Sequence, residues 1–591
     1  MKQFITRRSF IKAAGAATAL TAVSVGAPAA FAEETNCFFG DKADVTILYT
    51  NDVHTYIDNK SPKLTYAAIA AMKQGYVDEG KPVLLVDAGD HIQGTAYGSM
   101  DDGATIIELM NEAGYDIATL GNHEFDYGMA RAKAIIKEAD FPYVSCNWVD
   151  LRTGLRVLPA VKLFPAGGKW IAFVGITTPE SFTKSTPAYF MNAKQTKYIY
   201  DILGGDDGRK LYDAVQKAID KAKTLGADII IGLGHLGVDP SSSPWTSEEV
   251  IANTTGFDAF IDGHSHTVME NKQVYDAAGK AVTLTQTGSY LANVGKMTIA
   301  EDGAITTELI STADVSDAAV AATAEAWIND VDAMLGEQIA TTDINFYIND
   351  PATGKRRIRS GETNLGDFVA DGIYTYFNEI EELHCDVAIM NGGGIRTDVE
   401  AGPWSFKTCK TVSPFGNVAC LMSVTGQQIQ DALEFGARFA GAEGKENGGF
   451  LQVAGATYEI HTDIPNTVLT DDKNVWMGSA TGTPRVQNVR IYNKKTGTYE
   501  PLDLNRTYAL AGMNYTLRNL GDGFAMFDGA ELIKDYVSED YLVMSSYAAM
   551  FGGVDANGLP HLASANSPLA DYPGYLLNYE DPHLSLIHIS E

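Results

Sequence analysis

The chain has 591 residues, 45% of them hydrophobic and 20% charged, and a formal net charge of −31. That length exceeds what a single hydrophobic core serves, so two to four domains are expected. The acidic excess disfavours binding to nucleic-acid polymers or anionic membranes, both of which need basic patches, and it supplies oxygen ligands for hard cations.

Thr6-Arg7-Arg8-Ser9-Phe10-Ile11-Lys12 is a twin-arginine pattern followed by an Ala-rich apolar stretch, and Ala30-Phe31-Ala32 offers small residues for cleavage before Glu33. Residues 1–32 read as a twin-arginine signal peptide, which implies export of a folded chain to the periplasm or cell exterior. Their removal takes away Lys2, Arg7, Arg8 and Lys12 and leaves a formal charge of −35. No later stretch is long and apolar enough to span a membrane.

Residues 43–312 form a first α/β domain, in which apolar strand-like runs at 45–49, 83–86, 117–120, 170–176, 229–233 and 257–261 alternate with helical stretches. Over 313–338, Val315, Ala319, Ala322, Trp327, Val331 and Leu335 recur at roughly helical spacing. The spacing predicts a connecting helix within 313–340. A second α/β unit follows at 341–548, with helices near 364–381 and 425–439 and a strand near 386–390. Residues 549–591, rich in Gly, Pro, Asn and Ser, read as an irregular, loose tail. The final stretch, 584–591, continues no pattern and is set aside from the fold. Cys37, Cys146, Cys385, Cys409 and Cys420 show no metal-binding spacing. Cys409 and Cys420 suit either a disulfide or burial as small apolar side chains.

Five fragments carry the chemistry, each after an apolar run: Asn51-Asp52-Val53-His54, Asp87-Ala88-Gly89-Asp90, Gly121-Asn122-His123-Glu124-Phe125-Asp126, Gly234-His235-Leu236-Gly237 and Asp262-Gly263-His264-Ser265-His266. The carboxyl ends of strands in open α/β sheets are where such folds place their sites. In an extended segment, residues two apart point the same way, so Asp52 with His54, and His264 with His266, can face one ion. Gly89 allows a tight turn presenting Asp90. Carboxylate, imidazole and amide ligands without thiolate suit Zn²⁺, Mn²⁺, Co²⁺ or Fe, and a shared Asp90 can bridge two ions. Glu124 reads as a supporting carboxylate.

The order D-x-H, G-D, G-N-H-E, G-H, G-H-x-H resembles the calcineurin-like metallophosphoesterases. Arg359-Ser360-Gly361-Glu362-Thr363-Asn364-Leu365-Gly366-Asp367, Asn391-Gly392-Gly393-Gly394-Ile395-Arg396, Val412-Ser413-Pro414-Phe415-Gly416 and Gly521-Asp522-Gly523-Phe524 are similar to the 5'-nucleotidase family. The resemblance covers roughly residues 44–530. It implies a metallophosphoesterase α/β sandwich joined by the helix to a smaller α/β (α+β) substrate-binding domain. It implies two divalent ions, one held by Asp52, His54 and His266, the other by Asn122, His235 and His264, with Asp90 bridging. His123 would be the catalytic histidine and Asp126 its partner, in hydrolysis of a phosphoester by metal-activated water.

For the substrate, Arg359 and Arg396 suit its phosphate or ribose as oxyanion partners. The resemblance assigns Asn391 and Arg396 to the nucleoside site, Asp522 to the ribose hydroxyls and Phe415 to stacking on the base. One departure stands out. The family's usual Gly-Gly-Asp-Gly carries a second stacking aromatic six residues before the Asp, but here Leu520 replaces the first Gly and Thr516 stands at the aromatic's place, with Tyr515 one position earlier. Either Tyr515 shifts register to close the clamp, or the clamp has one wall. The function expected is release of phosphate from 5'-nucleotides. The alternatives are a 2',3'-cyclic-nucleotide phosphodiesterase, a nucleotide-sugar pyrophosphatase, or a non-catalytic surface protein retaining the fold.

Overall fold

The computed structural model describes residues 42–58, 64–185, 187–192, 197–442, 444–534, 537–581 and 586–590; the twin-arginine segment and Cys37 lie outside them. Two sheets build the N-terminal domain. In one, Val45–Thr50, Val83–Asp87 and Ile117–Ala118 run parallel, extended by antiparallel Val294–Ile299 and Ile305–Ile310. In the other, Lys169–Thr177, Ile229–His235, Ala259–Ile261 and Ala281–Thr287 run parallel between antiparallel Val161–Ala166 and Val268–Tyr275.

The strands read as continuous apolar runs because both faces are covered. Val45, Ile47, Leu84 and Val86 meet Ile171, Phe173, Ile229 and Ile231 between the sheets. Ala172, Val174 and Ile176 turn outward onto Leu211, Val215 and Ile219 of the helix Arg209–Thr224. Within each parallel set the strands end at one edge, which is where the five polar fragments emerge.

The connecting helix spans Ala318–Leu335 and starts one residue after Asp317, whose carboxylate accepts from the amides of Ala319 and Val320 (2.9 and 3.1 Å). Its buried positions are Val320, Val331 and Leu335, while Val315, Ala319 and Ala322, expected inside, are exposed. Each residue turns a helix by about 100°, so placing Val320 inward at the start carries Ala319 outward. Trp327 keeps its expected place and donates Nε1–H to the Tyr97 carbonyl (2.8 Å).

The C-terminal domain is a mixed sheet in the order Leu451–Ala454, Val387–Asn391, Thr507–Met513, Ala419–Thr425 and Glu531–Lys534. Leu365, Phe368 and Ile373 of the helix Asn364–Thr375 pack on one face with Val543 and Tyr547 of the helix Asp540–Ala548. Ile429 and Leu433 of the helix Gly426–Gly436 cover the other, beside a second small sheet. Cys146, Cys385, Cys409 and Cys420 are buried thiols rather than disulfides, and Trp404 donates to Cys409 Sγ (3.0 Å).

The segment from 549 is irregular in path but not loose. Phe551, Leu562, Leu569 and Tyr579 are buried in the C-terminal core, and His561–Leu562 pairs in parallel with Gln338–Thr342. The Gly and Pro content sets its turns, while a few widely spaced apolar side chains carry its burial. Ile587–Ser590, within the stretch set aside from the fold, lies parallel to Ala456–His461.

Tyr575 and Tyr579 both donate to Asp371 (2.7 and 2.6 Å), which ties this segment to the helix Asn364–Thr375. Burial pushes the Asp371 carboxyl up to about 7, against the pull of those two hydrogen bonds. The unfolded chain releases the same proton near pH 4. Asp371 therefore contributes stability that is full below about pH 4 and is lost as pH rises through about 7. Asp371→Asn should flatten this stretch, so that wild-type Tm minus variant Tm falls steadily across it in scanning calorimetry; a difference constant with pH contradicts the assignment.

Candidate active site

The five fragments converge. Asp52, His54 and His266 place ligand atoms within 4.8 Å of one another, as do Asp90, His235 and His264, and His54, Asp90 and His123. His54 Nε2 lies 3.9 Å from Asp52 Oδ1, 3.8 Å from Asp90 Oδ2 and 3.0 Å from His266 Nε2. His235 Nε2 lies 3.0 Å from Asp90 Oδ2, and His266 Nε2 3.4 Å from Asp52 Oδ1.

The backbone achieves this by a route other than strand alternation. Asp52, His54, Asp90, His264 and His266 all have positive φ, between 49° and 79°. Tight left-handed loops, not extended segments, aim Asp52 with His54 and His264 with His266 inward. Each such residue costs on the order of 1 kcal/mol, and strain of this kind concentrates at functional sites.

The donor set fits divalent cations. His54 Nδ1–H donates to the Gln93 carbonyl (2.8 Å) and His235 Nδ1–H to the Ala88 carbonyl (2.7 Å), which aims each Nε2 at Asp52 and Asp90. Burial, outweighing the pull of Asp90, holds His54 neutral, well below the usual imidazole range. Burial also pushes the Asp52 carboxyl up, against the pull of His235, and a cation bound beside it would favour the ionised form. Asn122 Oδ1 is buried with no hydrogen-bond partner among the described residues, the mark of an oxygen reserved for a ligand. Asn51 donates to Asp52 Oδ2 (2.6 Å) and fixes its rotamer. Glu124 supports the site as expected, accepting from the amides of Asp90, His91 and Gly121 (2.9, 2.8 and 2.7 Å).

His123 faces the cluster from the rim. Its Nδ1–H donates to Asp126 Oδ2 (2.5 Å), and its Nε2 lies 4.0 Å from Asp90 Oδ2. Across the cavity stand C-terminal residues. Phe415 lies 5.9 Å from the His123 ring and 5.6 Å from the Arg396 guanidinium. Asn391 donates to Asp522 (3.0 Å). Burial and the neighbouring Arg356 and Arg396 press the Arg359 pKa down to about 9, so three cations crowd one place that suits an oxyanion.

Of the residues expected from sequence, Asp90, Asn122, His123, Asp126, His264, His266, Arg359, Asn391, Arg396, Phe415, Tyr515 and Asp522 line this one cavity, and Asp52, His54 and His235 lie buried beneath it. Thr516 is buried and turns toward Asn391 (Oγ1 to Oδ1, 3.5 Å), while Tyr515 faces the cavity. Two residues were missed. Glu180 Oε2 accepts from His264 Nε2 (2.8 Å), which leaves that imidazole's Nδ1 for a ligand. Burial would raise this carboxyl, but Lys184 and the bonds from His264 and Ser242 hold it near 2. Glu180 follows the strand Lys169–Thr177 closely, so its position at a strand's carboxyl end was the available signal. Arg356, paired with Glu446 (2.6 Å), had none beyond proximity to Arg359.

The loops touch so closely that a Cβ at Gly121 would collide with Asp90 Oδ1. Gly121→Ala should weaken divalent-cation affinity by about 10- to 100-fold, the range for disturbed ligand supports, as read by calorimetric titration. A folded variant with wild-type affinity contradicts this packing.

Family comparisons match this architecture. Residues 45–268 match the calcineurin-like phosphoesterase family, and residues 338–529 match the 5'-nucleotidase C-terminal domain. The chain is 28% identical over 554 residues to the 5'-nucleotidase of Rattus norvegicus, covering 85% of this chain and 88% of the relative, and equally identical to that of Mus musculus over the same shares. Its fold matches the crystal structure of a 5'-nucleotidase precursor from Thermus thermophilus with a TM-score of 0.71 and 24% identity, over 88% of this chain and 99% of the other. The chain belongs to the 5'-nucleotidase family of metal-dependent phosphoric ester hydrolases, in which a calcineurin-like phosphoesterase domain is joined to a 5'-nucleotidase C-terminal domain.

Proposed function

We propose that the protein is an exported hydrolase that uses two divalent ions to release phosphate from nucleoside 5'-monophosphates. One observation carries this reading: the candidate cation ligands Asp90, Asn122, His264 and His266 and the His123–Asp126 pair share a single cavity with Arg359, Arg396, Asn391, Phe415 and Asp522 of the other domain. The relatives' name, 5'-nucleotidase, supports the same substrate class. The twin-arginine pattern at Arg7-Arg8 supports export, and among the described residues no helix is long and apolar enough to cross a membrane.

Asp52, His54 and His266 would hold one ion and Asn122, His235 and His264 the other, with Asp90 shared. Zn²⁺, Mn²⁺, Co²⁺ and Fe suit these donors. Bound there, the ions lower the pKa of a water and offset the charge of the phosphate. The chain's own groups do the rest. Asp126 accepts from His123 Nδ1–H and holds the ring so that a protonated Nε2 can donate to a phosphoryl oxygen as charge spreads in the transition state. Arg359 and Arg396 bind the phosphate's remaining charge. Asp522, oriented by Asn391, accepts from the vicinal ribose hydroxyls. Phe415 and Tyr515 flank the base.

Phosphate release from AMP in the presence of Mn²⁺, Co²⁺ or Zn²⁺ tests the reading. EDTA should abolish it and added metal restore it. Turnover of 2',3'-cyclic AMP or UDP-glucose in place of AMP would reassign the substrate, and no release from any nucleotide would leave a non-catalytic protein with an intact fold. His123→Ala should lower kcat by about 10²–10⁴-fold with the bound metal unchanged; near-wild-type turnover would remove His123 from the chemistry.

A further inference from the structure

The strand Ala419–Thr425 pairs antiparallel with Thr507–Met513, ending at the pair Ala419 and Met513. One residue beyond the pair on each strand, the ladder does not stop. Asn514 N–H donates to the Val418 carbonyl (2.8 Å), and Val418 N–H donates to Asn514 Oδ1 (2.8 Å). The backbone carbonyl of Asn514 cannot serve Val418, because it already accepts from the amides of Arg518 and Asn519 (3.0 and 2.8 Å) in the turn that follows. The side-chain oxygen takes the carbonyl's place and adds one more rung.

That rung joins two segments that each carry a cavity-facing ring. Phe415 precedes Val418 by three residues, and Tyr515 follows Asn514 directly. The leg bearing Phe415 is held from its other side by Asp540, which accepts from Asn417 N–H (3.1 Å) and donates its own amide to the Asn417 carbonyl (2.8 Å). Tyr515 is fixed at its far end by its hydroxyl, which accepts from the Asp522 amide (3.1 Å).

We infer that Asn514 is a positioning residue that sets the spacing of Phe415 and Tyr515, so that the two rings form a slot selecting a flat aromatic leaving group, a nucleoside, over a bare sugar. This rests on the nucleotide reading above and deepens it. Asn514 is also the device by which this chain keeps a second wall although Thr516 stands at the usual aromatic position. Asn514→Ala leaves the Val418 amide without its acceptor and reduces the rung to one backbone bond, from the 514 amide to the Val418 carbonyl, which loosens the spacing of the two rings. Asn514 lines the cavity too, but the residues assigned above to the phosphate and ribose, Arg359, Arg396 and Asp522, make no bond to its side chain.

The test compares kcat/KM for AMP and for ribose 5-phosphate, which keeps the sugar and phosphate but lacks the base. The wild-type chain should prefer AMP. Asn514→Ala should lower the AMP value by about tenfold, chiefly through KM, since stacking on one base is worth about that much or more. Turnover of ribose 5-phosphate should be unchanged and so reports that the variant is folded. Asn514→Asp, which keeps an acceptor oxygen for Val418, should recover the ratio. Tyr515→Leu leaves the ladder intact and supplies a second arm: it should lose the same preference, and adding Asn514→Ala to it should remove no more. An unchanged ratio in Asn514→Ala or in Tyr515→Leu overturns the inference, as does a wild-type chain that treats the two substrates alike. A wild-type chain that hydrolyses neither substrate overturns the nucleotide reading itself.

Discussion

Asp52 and Asp90 are the constraint from which the rest of the site follows. Both are buried to within 1% of their surface and share contact with the same two imidazoles, His54 and His235. A buried carboxylate costs several kcal/mol unless paired, and a second beside it raises the penalty. Among the described residues, no Lys or Arg side chain forms an ion pair with either; the side chains that face them within 4.0 Å are imidazoles and the Asn51 amide, and carbonyls at Gln93 and Ala88 orient two of the imidazoles. Such a set is built for cations bound by lone pairs. The same need explains the backbone: five left-handed residues are tolerable where cation binding is coupled to loop folding.

The division of labour between domains then has a physical basis. Parallel strands deliver many loops to one edge, which suits a site whose seven candidate ligand side chains come from five places. The mixed sheet of the C-terminal domain delivers few loops but holds neighbouring strand exits at fixed separation, which suits recognition of a flat group. The two meet where Phe415 lies beside His123. A group stacked on Phe415 would therefore lie beside the imidazole that Asp126 orients.

Much of this was legible in the sequence, for reasons that can be located. Ile229–His235 and Val83–Asp87 announce themselves because both faces of a covered sheet are apolar, and the polar fragment after each is then a strand-end loop. Residue identity pointed to Asp52 and His54 as candidate ligands, but not to the conformation that makes them converge, since positive φ at Asp or His leaves no compositional trace. Glu180 was missed because one carboxylate after a strand resembles any solvated one until His264 is seen against it. The segment from 549 was misjudged because turn-forming residues outnumber the few, Phe551 and Tyr579 among them, that enter the core. Val315 was misplaced because a thin stripe does not fix helical phase, whereas the Asp317 cap does.

Phase also resolves the departure at 515–522. Residues adjacent in a helical turn point about 100° apart, so in Asn514–Leu517 only one of Tyr515 and Thr516 can face the cavity. Thr516 turns inward to Asn391, and Tyr515 faces out. The residue by which the aromatic is displaced from Asp522 is absorbed downstream, where Leu520 takes φ 58°, a conformation that glycine adopts freely and that costs a leucine about 1 kcal/mol. Leu520 offsets part of this by packing against the core that contains Ile389, Leu517 and Phe524. Gly521 then passes directly beneath the Tyr515 ring, where any side chain would collide with it, and Asp522, itself at φ 54°, reaches Asn391. The chain thus brings both the acid and an aromatic ring to the cavity, with the strain held in the turn between them. Counting residues back from Asp522 finds a threonine, whereas following the backbone finds a tyrosine.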